Sequence, residues 1–357
     1  MGAQRLEALT TLRGVAAWWV VFYHFREPLM PYVPPWIDQV LANGFLAVDF
    51  FFVLSGFIIA AGYFQPLASG KGSDIKIFLW RRFARIYPLH FFVLFAYLSV
   101  PLAIWCCSAK GLPEERFSLS YFLQSLALVQ NWGFGGRLDW NIPAWSISTE
   151  MGAYLLFALI AVTGVFSRIT SIGACCVLGS SLLFLILIYT INGYNSVGDA
   201  VPQLGLWRCL SQFSIGCSLW FLARSGIGCR PTLGALFLIA AVIILAAGWV
   251  YSVPNLFLVS PVASLLILGI SWFPQAPGVG LGWWPILHLG ESSYSTYLAH
   301  DLVKQWVKFS FSEIQISTFV VYVIAVWVVS EFCFKFIEEP ARKLLNKHSP
   351  DSQRSLS

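Results

Sequence analysis

The chain has 357 residues, of which 58% are hydrophobic and 11% are charged, and its mean hydropathy is +0.72. A water-soluble domain carries about 25% charged residues, so this composition excludes a soluble globular protein and indicates a polytopic membrane protein. The net charge of +5 does not indicate a nucleic-acid partner, because the basic residues cluster at the ends of apolar segments, where they set orientation. The partner that this composition does imply is the surrounding membrane lipid.

Apolar stretches of membrane-spanning length recur along the whole chain. Each must be helical, because lipid cannot satisfy the hydrogen-bonding groups of an irregular backbone. We therefore predict an all-α fold of about ten transmembrane helices. The predicted spans are residues 9–25, 43–64, 86–106, 144–166, 169–191, 203–223, 232–250, 255–273, 286–307 and 316–337. Residues 118–131 form a stretch too short to cross and predict a half-buried or re-entrant helix.

Ten spans would place both termini on one side of the membrane, and the charge distribution indicates which side. That side would carry Arg5, Arg13, Lys71, Lys76, Arg81, Arg82, Arg85, Arg168, Arg224, Arg230, Lys335, Arg342, Lys343 and Lys347. The other side would carry fewer basic residues, so the positive-inside rule places both termini in the cytoplasm. We expect one integral-membrane unit at residues 1–340, a short cytoplasmic tail at residues 341–357, and no cleavable signal peptide.

The eight cysteines include two adjacent pairs, and none shows the spacing of metal ligands. Neighbouring cysteines rarely bridge to each other. We expect these residues to pack as small apolar side chains within the lipid-embedded bundle, and we expect no bound metal.

Arg13 and His24 lie inside the first apolar stretch, LRGVAAWWVVFYHF. Ionisable side chains within a membrane segment are costly and indicate a functional site. Their spacing makes almost a whole number of helical turns, so both side chains share one face, roughly 16 Å apart along the axis. One helix would therefore hold a cation near one surface and a proton carrier near the bilayer centre. The alternative is an arginine that reaches the headgroups and a histidine in an interhelical hydrogen bond.

Three arginines in LWRRFARIYP are predicted to enter the third span from the cytoplasm: Arg81, Arg82 and Arg85. Arg82 and Arg85 are three residues apart and so point the same way on a helix. Guanidinium groups bind phosphate through paired hydrogen bonds, which makes this motif a candidate clamp for a phosphate-rich cytoplasmic ligand. Ordinary anchoring of the span by positive charge is the simpler interpretation of the motif taken alone.

Two carboxylates lie within predicted spans. Asp49, in FLAVDFFFVLSGF, must face protein or water, and it can either hold the His24 ring in one tautomer or pair with an arginine at the outer surface. Glu150 follows Ser146 by four residues in IPAWSISTE, so both lie on one face of the fourth span. A lone serine in a membrane helix usually packs or bonds the backbone, whereas a buried carboxylate needs a partner or a role.

His300 ends the hydroxyl-rich segment SYSTYLAH in the ninth predicted span and is followed by Asp301. The hydroxyl groups of this segment can line a polar cavity or form hydrogen bonds between helices. The sequence leaves the role of His300 open between these two.

Together and in this order, these motifs resemble those of the acyltransferase-3 family of bacterial integral-membrane O-acyltransferases. LRGVAAWWVVFYH is similar to the family's first-span signature, and FLAVDFFFVLSGF is similar to its second-span block. The SYSTYLAH segment and the closing EEP resemble its late blocks. The individual residues that match the family's motifs are Arg13, His24, Arg82, Arg85, Trp145, Ser146 and Glu150.

The resemblance implies transfer of an acyl group from cytoplasmic acyl-CoA to a hydroxyl of an extracytoplasmic or lipid-linked saccharide. Acetyl-CoA is the expected donor, and O-acetylation of an exopolysaccharide or another cell-envelope glycan is the expected outcome. It also implies a multi-pass protein of the bacterial inner membrane. Some relatives carry a fused extracytoplasmic domain. We expect this chain to handle its acceptor without such a domain, either alone or with a separate cell-envelope partner protein.

The resemblance also implies roles for residues. We expect His24 to act as general base, Asp49 and Glu150 to orient it or shape the acceptor pocket, and Arg13 to line the donor entry or stabilise the thioester. The residues expected to bind the donor phosphates are Arg81, Arg82 and Arg85, and those expected to bind substrate are Trp145, Ser146 and His300. An acyl-enzyme through Ser146 or His24 is an open variant.

Two other classes of protein compete with an enzyme. A transporter or proton-relay protein would use intramembrane charges as an ion path and would produce flux without chemical change. A non-catalytic scaffold would need the same charges only for folding.

Overall fold

The computed structural model describes residues 3–107, 116–224, 231–272 and 283–350, and these ranges contain helices and connections without a β-strand. The helices are α1 (Ala3–His24), α2 (Pro35–Ala42), α3 (Ala47–Leu67), α4 (Gly72–Ala96), α5 (Ser99–Cys107), α6 (Leu119–Leu126), α7 (Ala144–Val162), α8 (Ser171–Ile191), α9 (Val201–Arg224), α10 (Pro231–Val250), α11 (Asn255–Trp272), α12 (Trp284–Glu291), α13 (Ser293–Ser310), α14 (Ile316–Cys333) and α15 (Glu339–Lys347). The predicted all-α fold is confirmed, as is the short helix within residues 118–131, which is α6. Helix α15 runs across the predicted boundary at residue 340, and residues 351–357 of the predicted tail lie outside the described residues.

Seven helical segments of the described chain are long and apolar enough to cross a membrane, which supports the predicted multi-pass protein. Three further helices have at least 18 residues but are more polar: α1, α9 and α13. Helix α1 carries Arg13 and His24, α9 carries Arg208, and α13 carries the adjacent residues His300 and Asp301. Because ionisable residues in a membrane bundle face its interior, the polar helices are the ones that surround the candidate site.

Two predicted spans differ from the helices observed. Helix α4 begins at Gly72, well before the predicted start at residue 86. Arg82 and Arg85 therefore lie within a long helix, where aromatic rings and a carboxylate surround them, and not at its first turn. The predicted span 286–307 is two helices, α12 and α13, that meet at Ser292.

Glycines allow the site-bearing helices to approach each other closely. A Cβ atom on Gly56 of α3 would lie 2.0 Å from the carbonyl oxygen of Phe213 of α9, and one on Gly290 of α12 would lie 2.0 Å from that of Thr10 of α1. Helix packing in membranes depends on such close approach, because lipid removes most of the hydrophobic driving force between helices. These contacts set the distance of α3 and α1 from the helices that face them.

Candidate active site

A first cavity of about 150 Å³ opens between α1, α3, α4, α7 and α13. The ionisable groups Arg13, Arg82, Arg85 and Glu150 are among its lining residues. Three guanidinium groups against one carboxylate give the cavity an excess of positive charge, which suits an anionic ligand. Its volume is below the roughly 300–1,000 Å³ typical of pockets that enclose a drug-sized molecule, so only one end of a large ligand would fit inside.

Arg13 reaches this cavity because α1 packs against the break between α12 and α13. Its Nη2 atom donates a hydrogen bond to Ser293 Oγ at 2.9 Å, and Ser293 Oγ donates to the carbonyl oxygen of Gly290 at 2.6 Å. Gly14, the next residue along α1, permits the approach, since a Cβ atom there would lie 2.7 Å from the backbone nitrogen of Gly290. The break at Ser292 therefore supplies the partner that holds Arg13 in place.

Arg82 and Arg85 have different partners. Arg85 donates to Glu338, which lies in a single π-helical turn, Phe334–Glu338, and whose other oxygen accepts from Ser295 Oγ at 2.6 Å. Such π turns are frequent at functional sites. The Arg82 guanidinium stacks 5.1 Å from the ring of Tyr63, and its Nε atom is buried without a hydrogen-bond partner in the described residues. Arg82 is thus the better placed of the two to bind an added anion.

Arg81 lies outside the lining of this cavity, although it neighbours Arg82 in sequence. On a helix Arg81 points about 100° away from Arg82 but only about 40° away from Arg85, so helical spacing alone does not decide whether Arg81 reaches the cavity. Its predicted contribution to donor binding stays a prediction.

Glu150 is held by two hydroxyl groups inside the first cavity. Ser55 Oγ and Tyr154 OH each donate to its Oε1 atom at 2.5 Å. The structure does not bring Glu150 to the His24 ring, which lines a different cavity and contacts Val20 and His300, and the alternative role of Glu150 in shaping the acceptor pocket stays a prediction. The sequence placed Glu150 on the correct helix but could not show which neighbour that face meets.

A second cavity of about 360 Å³ contains His24. The polar and aromatic residues of its lining include Tyr23, His24, Trp145, Ser196, Asp199, Arg208 and Tyr297. Ser196 and Asp199 come from the connection between α8 and α9, and Asp199 is exposed. This cavity therefore combines ring surfaces, a hydroxyl and a carboxylate around one imidazole.

The hydrogen bonds of His24 determine its tautomer. Its Nδ1 atom lies 3.0 Å from the carbonyl oxygen of Val20. A carbonyl can only accept, so Nδ1 carries the proton and Nε2 keeps its lone pair. By the same argument His300 Nδ1 donates to the carbonyl oxygen of Tyr297 at 2.6 Å, so His300 Nε2 is an acceptor. His300 Nε2 lies 3.3 Å from His24 Nδ1 and accepts a second, weaker hydrogen bond from the same N–H group. The result is an imidazole with a free base atom and two acceptors behind it.

His300 itself is fully buried and lies outside the lining of both cavities. The next residue, Asp301, accepts from Tyr97 OH at 2.8 Å and lies 3.4 Å from the ammonium of Lys304. The predicted contact of His300 with substrate stays a prediction, and the contact that the structure shows is with His24.

Asp49 is fully buried and forms a paired salt bridge with Arg208 of α9. Arg208 Nε and Nη2 donate to its two oxygens at 2.7 and 2.5 Å, and Gln212 Nε2 donates at 2.5 Å. The expectation that Asp49 orients His24 is therefore wrong. The alternative, pairing with an arginine, is the correct one, although the arginine lies inside the bundle. Arg208 and Gln212 thus bind both oxygens of the Asp49 carboxylate, and the lone pairs they use cannot also accept a hydrogen bond from an imidazole.

Trp145 and Ser146 lie at the start of α7 between the two cavities. The Trp145 ring lines the second cavity and packs 5.4 Å from the Arg208 guanidinium carbon. Ser146 lines the first cavity, and its hydroxyl lies 2.8 Å from Tyr297 OH. Tyr297 and Val48 line both cavities, so these two side chains form the border between the two spaces.

Sequence reasoning missed several residues of the site, among them Ser55, Arg208, Tyr297 and Glu338. Arg208 could have been found from the sequence, since a charged residue within a predicted span needs a partner and Asp49 was a carboxylate in another span without an assigned partner. Glu338 lies in the EEP motif, but nothing local indicated its pairing with Arg85. Ser55 and Tyr297 gave no signal, because hydroxyl groups are common in membrane helices for packing alone. Across the described residues no cluster of three metal-ligating side chains occurs.

Comparison with known proteins agrees with the earlier resemblance. Residues 6–333 match the family model of the acyltransferase domain. The chain is 25% identical to the acyltransferase MdmB of Streptomyces mycarofaciens over 97% of this chain and 94% of that protein. It is also 25% identical to the O-acetyltransferase OatA of Staphylococcus aureus, over 95% of this chain but only 57% of OatA. No solved structure matches the chain.

Proposed function

Because this chain belongs to the acyltransferase domain family and is a membrane O-acyltransferase, we propose that its donor is a short-chain acyl-CoA and its acceptor a saccharide hydroxyl. The observation that carries the proposal is the pair of adjoining cavities, one with arginines and the other with His24. Each cavity supplies one half of an acyl-transfer reaction.

The charge of the first cavity supports an acyl-CoA donor. Arg82 and Arg85 present guanidinium groups that bind phosphate oxygens in pairs. The volume of about 150 Å³ is too small for a whole CoA molecule, so we propose that Arg82 and Arg85 bind the phosphates at the cavity mouth and that the space inside admits an acetyl thioester in preference to a long acyl chain. Arg13, held by Ser293, would line the path of the thioester.

The second cavity supports a saccharide acceptor, whether free, polymeric or lipid-linked. Trp145 and Tyr23 offer apolar ring surface, while Ser196 and Asp199 offer an oxygen donor and acceptors for sugar hydroxyls. Aromatic side chains combine large contact area with little loss of conformational entropy on binding. The acceptor hydroxyl would lie beside the free Nε2 atom of His24.

The reaction follows from this arrangement by direct attack. The acceptor oxygen attacks the thioester carbonyl carbon, and the carbonyl π electrons move to its oxygen. His24 Nε2 takes the hydroxyl proton, and its Nδ1–H keeps the Val20 carbonyl and His300 as acceptors while the ring is charged. The oxyanion then re-forms the carbonyl of the new ester as the C–S bond breaks, the C–S electron pair goes to sulfur, and the proton on His24 passes to the CoA thiolate. General-base help of this kind is worth about 10²–10⁴ in rate.

The orientation and location of the protein belong to the same proposal. The positive-inside rule supports cytoplasmic termini, a donor cavity that opens toward the cytoplasm, and residence in the bacterial inner membrane. The acceptor would then enter from the opposite side, alone or delivered by a separate cell-envelope protein.

The decisive experiment combines purified protein in lipid nanodiscs with radiolabelled acetyl-CoA and a glycan fraction from the host. We expect CoA release that requires the glycan, with label recovered as an alkali-labile ester on sugar. His24→Ala should abolish this transfer, while His90→Ala, which removes a buried histidine bonded to the Ser125 carbonyl outside both cavities, should retain it. Label trapped on the protein would instead indicate an acyl-enzyme, and solute flux into liposomes without CoA release would indicate a transporter.

A further inference from the structure

The two cavities share a lining side chain that has a hydroxyl group, and the border that Tyr297 and Val48 form between them is here called the junction. Tyr297 and Val48 line both spaces, and Tyr297 OH lies 2.8 Å from Ser146 Oγ and 3.2 Å from the carbonyl oxygen of Pro143. The Tyr297 side chain is buried, with 6% exposure. The Tyr297 phenol therefore contacts both the first and the second cavity.

The proposed function requires the reacting carbonyl carbon to lie at this junction. In that proposal the thioester arrives through the first cavity and the acceptor hydroxyl lies in the second, so bond formation takes place at the border between the two spaces. The junction is bordered by Val48 and by Phe51 and Phe52 of the first cavity. An apolar surround of this kind strengthens any hydrogen bond to a developing charge.

Attack on the thioester places negative charge on the carbonyl oxygen before the C–S bond breaks. His24 cannot stabilise that charge while it accepts a proton on Nε2, and its Nδ1–H points to the Val20 carbonyl. The oxygen therefore needs another donor. A hydroxyl fixed in advance is effective because it costs no reorganisation during the reaction.

We propose that the Tyr297 hydroxyl is this donor and that Tyr297 is a catalytic residue of the transfer. The proposal rests on the proposed function. Rotation about the phenol C–O bond moves the Tyr297 proton from the Pro143 carbonyl, at 3.2 Å, to the substrate oxygen without movement of the ring. Ser146 then remains as a hydrogen-bond partner of the phenol oxygen.

The ring is held so that only the proton needs to move. Phe51 packs edge-on against the Tyr297 ring with 5.7 Å between ring centroids, and the backbone carbonyl of Tyr297 accepts the 2.6 Å hydrogen bond from His300 Nδ1. The same residue thus anchors the histidine behind His24 and presents a hydroxyl to the junction. The general base and the oxyanion donor are linked through one turn of α13.

The test is Tyr297→Phe, which removes the hydroxyl and keeps the ring that contacts Phe51. We expect kcat to fall by about 10²–10³, the loss typical of one oxyanion donor, with the KM for acetyl-CoA nearly unchanged. Tyr322→Phe is the matched control, since its hydroxyl also donates to a carbonyl, that of Val21, but lies outside both cavities. That control should keep wild-type kcat.

A second measurement separates catalysis from a structural role. Fluorinated tyrosines of graded acidity, incorporated at position 297, keep the shape of the residue while they strengthen its O–H as a donor. An oxyanion donor predicts that kcat rises with phenol acidity, measured at a pH where every phenol stays protonated. A kcat independent of acidity would overturn the proposal.

The outcomes also separate this inference from the proposed function. If the wild type transfers acetyl, His24→Ala does not, and Tyr297→Phe works at the full rate, then only the role of Tyr297 is wrong. If Tyr297→Phe raises KM without lowering kcat, the hydroxyl binds the donor and is not an oxyanion donor. If the wild type releases no CoA with any glycan, both proposals fall.

Discussion

His24 and His300 are 276 residues apart in sequence, and their ring nitrogens lie 3.3 Å apart in the folded protein. The tautomers that the Val20 and Tyr297 carbonyls impose make His24 Nδ1 the donor and His300 Nε2 the acceptor. When His24 takes a proton on Nε2, this contact becomes a hydrogen bond from a cation. It therefore stabilises the charged form of His24 that the transition state requires.

Replacement of His300 by phenylalanine should lower kcat about tenfold, since a hydrogen bond to a charged group is worth about 1.5–3 kcal/mol, and this one is shared with Val20. The KM for acetyl-CoA should change little, because His300 lies outside both cavities. Initial rates in nanodiscs measure both constants. His90→Phe, which removes another buried histidine, is the control, and equal kcat values for the two variants would contradict the role given to His300.

Arg82→Gln should raise the KM for acetyl-CoA by about tenfold or more, because charge-assisted hydrogen bonds of the kind that bind phosphate contribute about 1.5–3 kcal/mol. The effect should shrink as salt concentration rises. Lys76→Gln removes a positive charge from an exposed position of the same helix and should leave KM unchanged. Parallel increases in KM for both variants would indicate general attraction and not a bound phosphate.

Asp49→Asn should destabilise the protein by about 3–5 kcal/mol, because it leaves the Arg208 charge buried without its partner. The double variant Asp49→Leu with Arg208→Met should recover much of that loss, since two apolar side chains replace the pair and Tyr189 still donates to the Val197 carbonyl. Thermal unfolding in detergent measures each variant. Additive losses in the double variant would show that the pair is not an energetic unit.

Gly56→Ala should destabilise the protein by about 1–3 kcal/mol, the typical cost of overpacking, because the added Cβ would collide with the Phe213 backbone. Gly62→Ala in the same helix is the control, since nothing lies within 4 Å of a Cβ atom there. That change should be neutral or stabilising by up to about 1 kcal/mol, as expected for glycine replaced within a helix. Equal unfolding temperatures for the two variants would contradict the close contact of α3 and α9.

The chemical character of this protein could be predicted from its sequence. Low charge and long apolar stretches predicted an all-α membrane protein, since lipid cannot form hydrogen bonds with the unpaired backbone groups of a loop or an open sheet edge. The position of Arg13 and His24 in an apolar helix marked both as inward-facing, because exposure to lipid is too costly for ionisable groups. Family motifs in the expected order then indicated acyl transfer.

The partner of each polar group could not be predicted in the same way. Helical periodicity determines which residues share a face, but in helices that are apolar all round it does not determine which face meets which neighbour. Asp49 pairs with Arg208, Arg85 with Glu338, and both contacts join helices far apart in sequence. Glu150 likewise lies with Ser55 in the first cavity and not with His24.

The sequence by itself determined that costly ionisable groups must be buried inside a helical bundle, because lipid forces that outcome whatever the packing. Only the tertiary structure decided that Arg82, Arg85 and Glu150 line one cavity and His24 another, and that Tyr297 borders both. That arrangement depends on close contacts between segments distant in sequence, such as Gly290 against Thr10. Such contacts cannot be predicted from the helical periodicity of either segment.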